Sequence, residues 1–367
     1  MVDRGDPRDR DRPGRAGIQL CRRRTAHGPS RERLLTMIRF AIDRTVSAVV
    51  VLFVLLLLIF TVSRAGGADP VRGYLGANAS SEAIAAARER LGLDQPLFIQ
   101  FGQYLQSLVQ GDLGLSLSTR RPVAEELARR IPATAELALW AILFALILAV
   151  VFAGAYSLRG RVAAGIRFVL FSAASAPAFL LATAGVLLLF AQLGWLPASG
   201  RTSFGPSDGM TGLYVLDGIL AGSPAYAWDA FQHVLLPALA AAVGPGVAIA
   251  RVLADGVSGS MKSGYAQTAR SLGDSELTIV RRHALRNASS PALTLLGVQI
   301  GMMLSSLVVV EQIFSWNGLG QYLTSAISAA DLNAVAAISL VLGAFYVLIN
   351  TLVDIVLAIV DPRVRLS

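Results

Sequence analysis

The sequence predicts an all-α polytopic membrane protein with six transmembrane helices, and three observations predict it. Hydrophobic residues make up 54% of the chain and charged residues only 15%, where soluble domains carry roughly 25% charged residues. Uncharged runs long enough to cross a hydrocarbon core of about 30 Å recur six times. The remaining positive charge, nearly all arginine, is spread unevenly between those runs.

The runs cover 45–63, 137–158, 168–200, 230–250, 287–310 and 332–353. Orientation follows from the arginines between them. Arg31, Arg33, Arg39 and Arg44 precede the first run. Arg159, Arg161 and Arg167 fill the short connection after the second. Lys262, Arg270, Arg281, Arg282 and Arg286 lie between the fourth and fifth, and Arg363 and Arg365 close the chain. By contrast, 311–333 holds Glu311 and Asp331 and no basic residue. The positive-inside rule then places both termini in the cytoplasm. Arg129 and Arg130, beside the second run, oppose this assignment, but they sit in a long segment among Glu125, Glu126 and Glu136, and long segments weigh little in the rule.

The expected organisation is a basic tail over 1–36, span one over 37–64, an extracytoplasmic helical segment over 65–136, and a core of spans two to six over 137–367. A cytoplasmic loop over 256–290 belongs to that core. The tail holds ten arginines against five acids, together with the only cysteine, Cys21, and such a composition does not fold alone. It reads either as a disordered arm on anionic lipid or as a mis-called start, with Met37 as the true beginning. The second reading is favoured. A cleaved signal peptide is disfavoured, because the first apolar run is long and lacks a clean small-x-small site.

Within 65–136, SSEAIAAARERLG offers Ser81 as a helix N-cap and Gly92 as its terminator. Pro96 suits the first turn of a second helix carrying Phe98, Phe101, Leu105 and Leu108 on one stripe. GDLGLSLSTRRP then reads as a Gly-rich turn, and Pro122 opens a further amphipathic turn, VAEELARRI, ahead of Pro132 and span two. This segment reads as a lid packed on the outer face or as a platform for an extracytoplasmic partner.

Two runs contain helix breakers. Pro177 lies in the third; Pro237, Gly244, Pro245 and Gly246 lie in the fourth. Backbone freed by a break is tolerated in a bilayer only where it faces protein or a watery cavity, so these five residues are candidate pathway or hinge positions. Plain kinks account for them equally well. Asp354 falls one turn after Asn350 near the cytoplasmic end of the last run, where a structural hydrogen bond is the favoured role over an intramembrane functional acid.

Three function classes compete. A membrane enzyme needs a nucleophile–base or metal constellation. No HExxH, GxSxG or paired intramembrane Asp is present, and His27, His233 and His283 are not at ligand spacing. An ion-coupled transporter or channel usually places charge mid-span, and the midplanes here carry none. The third class is a passive pathway subunit driven by another protein. The single lysine, Lys262, follows Met261 and sits in no GK[ST] loop, so a nucleotide site of that type belongs to another polypeptide. A docking segment is then required on the cytoplasmic side. Residues 265–291, YAQTARSLGDSELTIVRRHALRNASSP, are the candidate.

In that segment Ala266, Ala269 and Gly273 fall at i, i+3 and i+7, a stripe of small residues that lets another backbone come close. Gly273 is expected to end a first helix, and Asp274 or Ser275 to cap a second. The second helix repeats apolar positions at Leu277, Val280, Ala284 and Leu285, with Arg281, Arg282 and Arg286 facing water or phosphate. The residues alone leave a docking surface and an ordinary interfacial amphipathic segment both open.

YAQTARSLG followed by RRHALRNASSP closely resembles the EAA loop of binding-protein-dependent ABC importer permeases, in their dipeptide/oligopeptide/nickel branch. LGLDQPLFIQF, GDLGLSLSTRRPV, RIPATAELAL, LGWLPASGR, HVLLPAL, VVVEQIFSWNGLG and LVDIVLAIVDPRVR resemble further blocks of that branch in family order, so the likeness extends over Met37–Leu366. It implies the type I importer permease fold and the first permease of a heterodimeric pair in a bacterial plasma membrane. The implied partners are a second homologous permease, two cytoplasmic ATPase domains that hold the ATP and Mg, an extracytoplasmic solute-binding protein or lipoprotein, and lipid. Nucleic acid is not among them, and no cofactor or metal is expected on this chain.

The resemblance also implies that ATPase coupling falls to Tyr265, Ala266, Thr268, Ala269, Arg270, Leu272, Gly273, Arg282 and His283. Gln267 stands where the glutamate that names the motif would be, and 1–36 has no counterpart. Di- or oligopeptides are the leading expected solutes, moved by alternating access; nickel chelates, glutathione and haem are alternatives. A membrane channel or receptor scaffold without ATP coupling is the reading from another class. Spans three to five are the expected pathway walls.

Overall fold

The structure is a computed structural model that describes residues 29–65, 80–90, 94–157, 161–207 and 209–360. The expectations for 1–28, Gly92, Arg159, Arg363 and Arg365 lie outside these residues. Outer and inner denote below the two sides assigned by the arginines.

Helix α1 (Pro29–Ala65) starts ahead of Met37. Its membrane-crossing part, Ile42–Val62, is 6% buried. Its contacts include a polar one and an aromatic one. Near the inner end Arg44 meets Asp354 at 2.9 Å and donates to the Thr351 hydroxyl at 3.1 Å. Toward the outer end Phe53 and Phe60 pack on Phe101, with centroids 5.8 and 5.1 Å apart. Asp354 therefore serves as a helix-to-helix tie, while neighbouring Asn350 donates to the Tyr346 carbonyl one turn back.

Helix α2 (Ser81–Arg90) is capped by Ser80 rather than Ser81. The Ser80 hydroxyl accepts from the Ala83 amide at 3.2 Å, because the hydroxyl must sit three residues ahead of the amide it satisfies. Helix α3 (Leu97–Val109) follows Pro96 and lays Phe101, Leu105 and Leu108 toward the protein. Phe98, expected on the same stripe, is exposed. The Gly-rich turn is present: Gly111 and Gly114 have φ of 79° and 76°, and Leu115 bridges to Pro122. This loop is anchored by Asp331. One Asp331 oxygen accepts from Ser116 and Ser118, and the other accepts from the Ala334 amide in the first turn of the last helix.

Helix α4 (Val123–Ser157) runs through Pro132, so VAEELARRI and span two form one helix rather than a turn followed by a span. Arg129 and Arg130 pair with Glu125 and Glu126 one turn earlier, at 2.6 and 3.1 Å. The two arginines that opposed the orientation are thus matched by acids on their own helix.

The run 168–200 is not one straight helix. Helices α5 (Arg161–Ser175) and α6 (Ala178–Gly185) are bent by 112° at Ala176–Pro177, and α6 continues into a π-helical stretch, Val186–Gln192. Pro177 lacks the amide to continue α5 and biases Ala176 away from helical ψ; its own ψ is 147°. After α7 (Tyr214–Leu220) comes α8 (Pro224–Met261), which passes unbroken through Pro237, Gly244, Pro245 and Gly246. Of the two readings left open there, no break in the helix is present. Packing replaces what the prolines remove: α8 is the central helix, lying between α4 and α11, and its face of Ala238, Ala240, Ala241, Ala242 and Ala250 is buried.

Small side chains bring these backbones together. At Gly246 a Cβ would lie 2.9 Å from Leu148 Cβ and 3.0 Å from the Ala145 carbonyl. Gly246 is a packing position in this structure. Gly246→Val is expected to cost about 2 kcal/mol through overpacking and to lower the thermal unfolding midpoint of the purified protein. Gly244, where a Cβ meets nothing within 4 Å, is the control. An unchanged midpoint for Gly246→Val would remove the packing role.

Beyond α8 come α9 (Gly264–Ser271), α10 (Glu276–Ile279), a π-helical turn (Val280–Ala284) and α11 (Leu285–Ile313). The stretch Glu276–Ile313 forms one membrane-crossing rod, so the expected second surface helix is the inner end of span five. Helices α12 (Leu319–Ser328) and α13 (Leu332–Val360) complete the chain. Glu311 and Asp331, expected in an outer connecting segment, are both fully buried. Among the described residues five helices are long and apolar enough to cross a membrane, and the count is six with the bent pair α5–α6 taken as one span. The architecture is that of an all-α polytopic membrane protein.

Candidate functional site

The site is the reversal between α8 and α11. Helix α8 ends at Lys262, Ser263 follows in extended conformation, and α9 folds back beneath the bundle. Its end is built as a left-handed cap. Gly273 has φ +90°, its amide donates to the Arg270 carbonyl at 3.0 Å, and the Asp274 amide reaches the Ala269 carbonyl at 3.1 Å. Glycine adopts this conformation without a Cβ penalty. Ser275 then caps α10, accepting from the Thr278 amide at 3.3 Å. The expected terminator and one of the two expected caps are where the sequence places them.

The small stripe is used differently from the expectation. Ala266 and Ala269 are 0% and 8% exposed and pack against Ile279, itself fully buried, beside Met261. The close approach that alanine permits is made by this chain's own α10, so Ala266 and Ala269 do not face outward. The apolar repeat expected on the second helix is shifted too. Ile279, Ala284 and Ala288 are buried, Val280 is half-buried, and Leu277 and Leu285 are exposed. The π-helical turn adds a residue to the helical repeat and rotates the face.

Three more of the named residues are struts. Arg270 binds both oxygens of Glu276, at 2.5 and 3.1 Å, and donates to the Met261 carbonyl at 3.1 Å. The hydrogen bonds to Glu276 raise the affinity of the guanidinium for its proton further. The Tyr265 hydroxyl accepts from Asn287 at 3.0 Å, and its ring lies 6.2 Å from that of His283. Burial would raise the Tyr265 hydroxyl, but contacts with Ser260, Ser263 and Asn287 outweigh it and hold the group below its usual value.

Outward there remain Gln267, Thr268, Ser271, Leu272, Gly273 and Leu277, with Arg281, Arg282 and Arg286 on the adjoining turn. Leu272 is 82% exposed at the tip of α9. Chemically this is a rigid knob with an apolar point and a cationic flank, fixed to span five through Ile279 and to span four through Met261. Sequence reasoning missed Ile279 and Glu276, since a contact made across a turn has no periodic signature.

The other named residues do not join this site. Pro177 marks the α5–α6 bend, whereas Pro237, Gly244, Pro245 and Gly246 lie inside α8. His233 is held at the outer part of α8, its Nδ1 2.8 Å from the Asp229 carbonyl oxygen.

Residues 141–366 match the family described as binding-protein-dependent transport system inner membrane component, and residues 37–138 match the N-terminal region of such membrane components. The chain belongs to this family. With it comes the type I permease fold, with α9 and its turn as the inner connection between spans four and five. Among similar proteins, the dipeptide transport system permease protein DppB of Alkalihalophilus pseudofirmus is 34% identical over 334 residues, covering 90% of this chain and all of that relative. The probable D,D-dipeptide transport system permease protein DdpB of Escherichia coli K12 is 36% identical over 83% of this chain and 91% of its own length. The glutathione transport system permease protein GsiC of the same organism is 32% identical over 90% of this chain and 99% of its own.

Proposed function

We propose that this chain is the permease subunit of an ATP-driven importer for di- or oligopeptides, forming half of a translocation pathway that works by alternating access. The observation that carries the coupling part is the α9 knob: an exposed leucine at 272 on a short helix whose other face is locked to two spans. Leu272 and Leu277 are 82% and 65% exposed beside the cationic turn, and the attachment of α9 to two spans suits the transmission of force. Solute choice leans on the two dipeptide permeases among the relatives.

On this reading the chain is not itself an enzyme. ATP and Mg belong to two cytoplasmic ATPase domains, a second homologous permease completes the pathway, and a binding protein or lipoprotein delivers solute from outside. Both termini face the cytoplasm of a bacterial cell, as the arginines indicate. The ATPase-facing set becomes Gln267, Thr268, Ser271, Leu272, Gly273 and Arg282, while Tyr265, Ala266, Ala269, Arg270 and His283 support it from behind.

Co-purification tests this. A gently solubilised complex is expected to contain an ATPase subunit, and Leu272→Asp is expected to lower its recovery about tenfold, the effect of about 1.4 kcal/mol lost at an apolar contact. A homo-oligomer with no ATPase would favour a channel or receptor scaffold instead. The glutathione permease among the relatives makes glutathione the second solute reading. Competition of labelled dialanine uptake by unlabelled peptides, glutathione, haem and nickel chelates separates them.

A further inference from the structure

The rod Glu276–Ile313 has the knob at its inner end, and a closed polar junction at its outer end. With 38 residues it spans roughly 57 Å at the helical rise. Glu311, 0% exposed, sits in the last turn. One carboxylate oxygen accepts from the Thr134 hydroxyl of α4 at 2.6 Å. The other accepts from the amides of Gly320 and Gln321, at 2.7 and 3.2 Å, in the first turn of α12. Thr134 is used twice, because its oxygen also accepts from the Leu319 amide at 2.8 Å. Three elements therefore meet on one carboxyl group, and the N-terminus of α12 points at it.

Backbone geometry is given over to this junction. A Cβ at Gly318 would lie 2.5 Å from both Glu311 Oε1 and Thr134 Oγ1, and one at Gly320 would lie 2.5 Å from Val308 Cα. Between rod and α12 the chain turns sharply, with Ser315 and Asn317 at φ of 48° and 56°. Trp316, buried in that corner, donates its indole N–H to the Ala133 carbonyl at 2.8 Å. The corner thus grips α4 at two successive residues, Ala133 and Thr134.

We propose that Glu311 is the outer terminus of a coupling rod: it passes displacement of the α9 knob to α12 and to the outer end of span two, and so positions the outer rim of the pathway. This rests on the reading of the chain as an ATP-coupled permease. A helix is stiff along its axis, so a shift at Ile279 arrives at Glu311. There a buried carboxylate with three donors in hand cannot slide past its partners without leaving them unsatisfied. The junction converts movement of one helix into movement of three.

The experiment uses the complete transporter with its binding protein in proteoliposomes. Uptake of radiolabelled dialanine and ATP hydrolysis are measured in the same vesicles for wild type, Glu311→Gln, Glu311→Ala and Thr134→Val, with thermal stability measured alongside. Thr134→Val is close in shape and replaces the hydroxyl, with its bonds to Glu311 and the Leu319 amide, by a methyl group, so it decides the matter where Glu311→Ala does not assemble. The expected result is hydrolysis at the wild-type rate with uptake per ATP reduced about tenfold, a typical size for a lost coupling. Glu311→Gln, which keeps an acceptor oxygen, is expected to retain more coupling than Glu311→Ala. If uptake and hydrolysis fall in the same ratio, or neither changes, Glu311 is a fold-stabilising residue and the proposal is overturned. If wild type hydrolyses no ATP at all, the permease reading fails, and this inference fails with it.

Discussion

Gly273→Glu is expected to abolish solute uptake while the protein still inserts and accumulates in the membrane at the wild-type level. Within this chain the substitution is cheap in space, since a Cβ at Gly273 meets nothing within 4 Å. The intramolecular cost is conformational: φ is +90°, and a non-glycine residue held there costs about 1–3 kcal/mol. Such a cost loosens the end of α9 but does not unfold a bundle centred on α8. The larger effect comes from what must approach the knob. A glutamate beside Leu272 puts a charge on a long side chain into an apolar contact, and burying an unpaired charge there is prohibitive. Gly273→Asn separates the two effects, because asparagine accepts the left-handed conformation more readily and carries no charge. It is expected to keep substantial uptake. Normal uptake by Gly273→Glu at normal membrane level would end the coupling role assigned to this turn.

The spans and the turn that closes α9 were legible because each is decided by local chemistry. A run of uncharged residues crosses a bilayer whatever its neighbours do, and Gly273 and Ser275 act within a turn of where they stand. Prolines were not legible in this way. Pro177 and Pro237 carry the same lesion, a missing amide and a ring, yet the chain bends by 112° at the first and runs on through the second. Pro177 is exposed, and Pro237 is buried in the central helix. Tertiary packing decides, and packing between distant segments is not written in a window of sequence.

The alanine stripe misled for a related reason. Spacing at i and i+3 says that something comes close to Ala266 and Ala269, and it says no more than that. The neighbour is Ile279, supplied by the same chain after a tight reversal. The π-helical turn at Val280–Ala284 then moved the buried face by a residue, which placed Leu277 and Leu285 outside. Glu311 was legible only as an acid of an outer connecting segment. An acid at the end of an apolar run looks like the first residue of a watery loop. Its burial depends on Thr134 and on the start of α12, the first of which lies 177 positions away.

Glu136→Leu is expected to destabilise the protein by about 3–5 kcal/mol, the cost of leaving the other charge of a buried pair uncompensated. Glu136 and Arg201 are 3% and 10% exposed and meet at 2.6 Å. The second Glu136 oxygen accepts from the Val215 amide at 2.9 Å, which fixes the start of α7 to α4. Arg201 also donates to the Gly212 carbonyl at 2.7 Å and lies 3.7 Å from the Tyr214 ring centroid. Removing the carboxylate therefore strands a guanidinium and an amide together, and releases the loop that joins α6 to α7. Arg201→Leu strands the carboxylate in turn, though Val215 still satisfies one of its oxygens, so its expected loss is smaller. The double variant Glu136→Leu with Arg201→Leu removes both charges and is expected to recover much of the loss, because an apolar pair of similar volume often replaces a buried ion pair at little cost. Thermal unfolding of the four purified proteins measures this cycle. Additive losses in the double variant would mean that the two charges do not stabilise one another, and that the outer loop is held by the Tyr214 and Gly212 contacts instead.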